Sequence, residues 1–241
     1  MPRFLPPLKN LVAMPKAIDE FVAGRPLQLD GLSWEHGGRP RTLNPGLLSV
    51  AAGRVGVVLA EDAGDADAFA DLLLGRAWPI RGRILSGKEE VTSLSSRERG
   101  IALVPAGGGL LPHLTIEQNI VFGLRGRDEK GHRYGRDFLR GQVRFITDRL
   151  DLGVPLDRRP YDLSADQRLW VALARAMCYW RRPNAVLVED RAGHPPCHSV
   201  VGRSLAALPH LPVLVVGDED DRIETLGTPS ARWEVVDADE P

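Results

Sequence analysis

Apolar residues in this chain come in short unbroken runs set between charged turns. Val55–Leu59 is such a run, and its length and lack of alternation predict a strand buried on both faces. Ile101–Val104, Ala185–Val188 and Val213–Val216 repeat the pattern. Leu27–Leu32 and Leu47–Ala51 read as two more strands, with a polar turn containing Gly and Pro between them. The Gly82–Gly87 segment and Trp233–Val236 complete the set. Elsewhere the period becomes helical. Phe69–Leu74 predicts a buried helix that Gly75 can stop. Tyr134–Leu150 places Phe138, Leu139, Val143, Ile146 and Leu150 at helical spacing. Thr115 with Gln118, and Ser164 with Gln167, have the spacing of capping boxes, the second opening a helix over 164–180. Gly107–Gly109 is a glycine break. Near the start, Leu8–Ala23 fits either a short amphipathic helix, with Leu11, Ile18 and Val22 on one side, or a poorly ordered terminus.

Strands alternating with helices, and polar groups gathering just after strand ends, predict an α/β fold with a mostly parallel sheet and helices on both faces. Ligands in such folds sit beyond the carboxyl ends of the strands. The chain divides into an extension, residues 1–26, and one domain, residues 27–241, and 43% hydrophobic content in 241 residues supplies a sizeable core. A net charge of −1 gives no basic field, so nucleic acid is not an expected partner. No apolar run approaches a membrane span, and Pro and Lys interrupt any signal-like run near the start. Cys178 and Cys197 form no metal or disulfide pattern. The expected location is the cytoplasm.

The strand Val55–Leu59, the loop after it and the helix that follows have the layout of a phosphate-binding P-loop. The loop itself lacks the glycines and lysine of such a cradle. It carries Glu61, Asp62, Asp65 and Asp67 instead. Read from the residues alone, it is an acidic, solvated turn that starts a helix; a divalent cation without nucleotide is the other possibility.

Three segments, in order, resemble the nucleotide-binding subunits of ATP-binding cassette (ABC) transporters, nearest to the ATPases of maltose-type importers. They are LLPHLTIEQNIVFGLR at 110–125, YDLSADQRLWVALARAM at 161–177, and the Gly82–Gly87 turn with the Val91–Gly100 stretch. The resemblance implies the P-loop NTPase-like ABC ATPase fold, with an antiparallel β part and a helical lobe at about 107–165. It places the family's phosphate loop, GxxGxGKS/T, on Ala60 to Ala68. The three glycines fall on Ala60, Ala63 and Asp65, with Gly64 between the last two. The lysine falls on Ala66, the magnesium-binding hydroxyl on Asp67 and the next threonine on Ala68. The adenine-stacking aromatic aligns with His36, the Q-loop glutamine with Ala106 and the switch histidine with Asp218. Glu189 takes the magnesium-side acid position and Asp190 the general-base position. The signature motif becomes Leu163, Ser164, Ala165, Asp166, Gln167, which in the family completes the site of a facing subunit; a well-capped helix accounts for Ser164 equally well.

The resemblance therefore implies transmembrane permease subunits as partners, a competent ABC ATPase as a possible heterodimer partner, and a place at the inner face of the membrane through them. The leading reading is a degenerate subunit that does not hydrolyse ATP and has no cofactor. An ordinary importer ATPase using ATP and Mg, and a stand-alone regulatory or scaffold protein on this fold, stay open as alternatives.

Overall fold

Val57 and Val58 are neighbours in sequence, yet they pack into different cores. The same division runs through the adjacent strands: Val213 and Val215 face the first core while Leu214 and Val216 face the second. Val186 and Val188 are likewise opposed to Ala185 and Leu187. Successive strand residues point to opposite faces, so a sheet covered on both sides needs an apolar residue at every position. This is the physical reason for the unbroken runs. Each buried Val or Leu contributes about 1.5–3 kcal/mol relative to exposure.

The computed structural model describes residues 25–125, 134–179, 183–219 and 231–238. The expected helix at Leu8–Ala23 lies outside them. In chain order the strands are β1 (Leu27–His36), β2 (Arg39–Asn44), β3 (Leu47–Val50), β4 (Val55–Leu59), β5 (Arg81–Ser86), β6 (Glu89–Glu90), β7 (Ile101–Val104), β8 (Ala185–Asp190), β9 (Val213–Gly217) and β10 (Ala231–Asp237). The helices are α1 (Ala63–Leu74), α2 (Ser96–Arg99), α3 (Ile116–Ile120), α4 (Arg136–Arg149), α5 (Ala165–Tyr179) and α6 (His198–Ala207).

The sheet order is β6-β5-β1-β2-β10-β4-β9-β8-β7, with β3 paired to β1. Pairing is parallel from β10 through β4, β9 and β8 to β7, and antiparallel in the rest. The sheet is thus mixed, an α/β parallel half joined to an antiparallel β part. The first core lies between the parallel half and α3, α4, α5 and α6; the second gathers α1 against β1, β3 and β4.

Two features correct the expected layout. A strand, β2, occupies the span expected to be a turn: its polar sequence alternates, burying Arg41 and Leu43 and pairing with β1 and β10. And α1 starts at Ala63, not near Phe69, because Asp62 caps it; the acidic loop is the first turns of the helix. Gly75 ends that helix in the left-handed conformation, as expected.

Arg99, fully buried, closes the other end of α1 by donating to the carbonyls of Leu72 (2.6 Å), Leu73 (3.1 Å) and Leu94 (2.9 Å), and to that of Thr92. In the lobe, both capping boxes form. Gln118 N–H donates to Thr115 Oγ1 at 3.2 Å and Thr115 N–H to Gln118 Oε1 at 3.1 Å. Gln167 N–H and Ser164 Oγ, at 3.2 Å, are matched by Ser164 N–H and Gln167 Oε1, at 2.9 Å.

Candidate functional site

The carboxyl ends of β4, β8 and β9 meet the start of α1 at one edge of the sheet. Here the structure gathers most of the residues expected at a site. Ala60 follows β4 and is buried; its N–H donates to the carbonyl of Gly217 at 2.8 Å, tying the loop to β9. Asp62 accepts from the N–H of Asp65 at 2.9 Å. That bond, then one from the Gly64 N–H, with the charges of His36 and Arg41, holds the Asp62 carboxyl below the usual carboxylate range. The first N–H groups of a helix are its anion-binding groups. At α1 a carboxylate of the chain itself takes them. Ala66 is fully buried within the second core.

His36 is the last residue of β1 and is half-buried. Its imidazole lies over Gly64, close enough that a Cβ there would come within 3.0 Å of Nε2. Asp65, expected in a solvated turn, is buried at 4% exposure. Its carboxylate pairs with Arg41 of β2. The same guanidinium reaches Glu61 at 2.6 Å and Asp237 of β10. Asp67, exposed, pairs with Arg191 Nη2 at 3.1 Å, while Arg191 Nη1 donates to the Val216 carbonyl at 2.8 Å.

Glu189 and Asp190 were expected just beyond their strand; both belong to β8, which pairs with β9 out to Gly217. Asp190 is buried. Glu189 Oε2 accepts from the Ala106 N–H at 3.3 Å, joining the general region of the acid positions to the Q-loop position. Burial pushes the Glu189 carboxyl up, against the charge of Arg191 and the Ala106 hydrogen bond. Asp218 Oδ1 accepts from the Ala192 N–H at 3.3 Å. After Ala106 the chain turns through Gly107 and Gly108, with φ of 65° and 85°. A Cβ at Gly107 would stand 2.7 Å from His194 Nδ1, and one at Gly108 2.8 Å from the Arg168 carbonyl, so both need glycine. Arg175 of α5 donates to the carbonyls of Gly108 (3.0 Å) and Gly109 (2.8 Å).

Ser164, Ala165, Asp166 and Gln167 stand apart from this cluster. Their side-chain hydrogen bonds among the described residues serve the helix cap and one link to α6, from Ser199 Oγ to Asp166 Oδ1 at 2.7 Å. Ala63, exposed, and Ala68, half-buried, take part only as members of the first turns of α1.

Sequence reasoning missed Arg41 and Arg191. A signal for Arg41 existed: in Arg39–Asn44 it shares a strand face with Leu43, and an arginine on an apolar face needs carboxylates nearby. Arg191 had none, because its partners depend on where β9 and α1 fall.

No family model matches the chain. It is similar to a spermidine/putrescine import ATP-binding protein of Frankia alni, 38% identical over 122 residues that make up 51% of this chain and 25% of that protein. A molybdate/tungstate import ATP-binding protein of Archaeoglobus fulgidus is 34% identical over 134 residues, 56% of this chain and 52% of that one. An sn-glycerol-3-phosphate import ATP-binding protein of Salmonella typhi is 31% identical over 170 residues, 70% of this chain and 45% of that one. The chain thus spans from a quarter to about half the length of these relatives. Among solved structures it is similar to CbiO1 of Clostridium perfringens, part of an ABC transporter complex, with a TM-score of 0.62 at 15% identity, covering 87% of this chain and 86% of that one. An ATP-binding cassette of an ABC transporter in its ADP conformation gives a TM-score of 0.63 at 16% identity, covering 84% of each chain. By these likenesses the chain is a homologue of the ATP-binding subunits of ABC importers, built on the fold of the ABC ATPase domain.

Proposed function

We propose that the chain is an ATP-binding-type subunit of an ABC importer that does not hydrolyse ATP and serves as a structural or regulatory partner of the transporter. The observation that carries this reading is the Asp62 carboxylate on the Asp65 N–H at the head of α1. A nucleotide phosphate would need that N–H. It would also meet the charge of Asp62, and a carboxylate about 5 Å from a phosphate charge costs about 3 kcal/mol at an effective dielectric near 20. The helix terminus offsets on the order of 1 kcal/mol. The two arginines nearby are engaged by carboxylates of the chain, and Ala66 supplies no cation where the family has lysine. The residues present do not fit a nucleotide with magnesium in the family's pose.

Partners follow from the homologues, which are import ATP-binding proteins. The expected ones are transmembrane permease subunits and a competent ABC ATPase as the second cassette. Attachment at the inner face of the membrane through such a partner is part of the proposal; no helix among the described residues is long and apolar enough to cross a membrane. The test is ATP turnover by the purified chain, alone and with its permease subunits. Background rates in both, unchanged by Asp190→Asn, support the proposal; magnesium-dependent turnover that Asp190→Asn abolishes would refute it.

A further inference from the structure

Arg41 holds together three parts of the chain that are far apart in sequence. Its Nη1 donates to Asp237, which is its cross-strand partner in the β2–β10 pairing. Its Nη2 donates to Glu61, just before α1, and to Asp65 in the first turn of α1. The Arg41 side chain is 3% exposed. Exposed ion pairs contribute little to stability, but a buried guanidinium facing three carboxylates is different. Removing it leaves three negative charges converging on one spot with no counter-ion. Burial works against the Arg41 charge, yet its hydrogen bonds to Glu61, Asp237 and Asp65 outweigh that and hold its pKa above the ordinary value.

The strands around it make the connection mechanical. β10 pairs with β2 on one side and with β4 on the other, and β4 leads directly into the loop. The Ala238 N–H donates to the Pro40 carbonyl at 2.9 Å, fixing the end of β10 beside Arg41. To this backbone connection Arg41 adds a side-chain link between the loop head and the end of the last described strand.

We infer that Arg41 is a latch that keeps the head of α1 closed by the chain's own carboxylates, and that it couples the order of this loop to the seating of β10. The inference rests on the reading of the site as closed to nucleotide. It assigns to one residue the ordering that a bound phosphate would otherwise supply. It also makes the end of β10 a control point, because Asp237 bonds Arg41 from a strand remote in sequence from the loop.

Amide hydrogen exchange on the full chain tests this, comparing wild type with Asp237→Ala and Arg41→Met. Asp237→Ala is expected to raise exchange over residues 60–68 by about tenfold, although the substitution lies on another element. Residues 101–104 and 185–190 serve as the internal standard and keep wild-type protection. Arg41→Met should raise exchange at both 60–68 and 231–238. If Arg41→Met does not fold, Asp237→Ala alone decides, since the Asp237 side chain is 36% exposed. Wild-type protection at 60–68 in folded Asp237→Ala overturns the latch. Adding magnesium ATP to wild type separates the underlying reading: slower exchange at 60–68 would show that nucleotide binds and refute the closed site, whatever Asp237→Ala does.

Discussion

The carboxylate of Asp62 accepts the backbone N–H of Asp65 at 2.9 Å, so α1 begins on an anion of the chain's own. Removing it should weaken the start of α1. Asp62→Ala is expected to lower the melting temperature by about 2–4 °C at neutral pH. The pKa of Asp62 is lowered in the fold, so its contribution is present above the ordinary carboxylate range and is lost as pH falls through the lowered value. The gap between wild type and Asp62→Ala should therefore close in acid. Thermal melts across that range check it, and a gap that widens toward low pH would contradict it.

Glu189 carries the opposite sign. Burial raises its pKa, so folding favours the protonated acid more than the unfolded chain does. Glutamine keeps an acceptor for the Ala106 N–H without the charge. Glu189→Gln is expected to raise the melting temperature at neutral pH by about 1–3 °C. The advantage should vanish as pH falls below the ordinary glutamate range, where wild type is itself protonated. A variant less stable than wild type at neutral pH would mean that the charge of Glu189 is needed by Arg191 more than burial penalises it.

The parallel strands were legible because burial on both faces leaves no freedom in the pattern: β4 and β7 have the bounds their apolar runs predict. The capping boxes were legible because they are local. β2 was not, since RPRTLN reads as a turn unless one knows that β1 and β10 flank it. The helical start at Ala63 was hidden for a related reason. Four acids in seven residues suggest solvent, and only Arg41, arriving from β2, permits Asp65 to be buried. The pairings Asp67–Arg191 and Ala106–Glu189 were not legible, because they are products of the sheet order.

Asn119 offers a test of the lobe. Its side chain is fully buried, and its Nδ2 donates to the carbonyls of Leu111 (3.1 Å), Leu114 (3.3 Å) and Thr115 (3.0 Å). Its Oδ1 accepts the Leu111 N–H at 2.8 Å. Asn119→Ala strands these buried groups and is expected to cost about 2–3 kcal/mol. Chemical denaturation measures it; a loss below about 0.5 kcal/mol would show that the turn before α3 does not depend on this side chain.

Calorimetric titration of the wild-type chain with magnesium ATP bears most directly on the claim that the head of α1 is filled by the chain's own carboxylates. The expected result is no saturable heat, corresponding to a Kd weaker than about 1 mM. Saturable binding with a Kd of about 10 μM or tighter would mean that nucleotide displaces Asp62 and that the site is open after all.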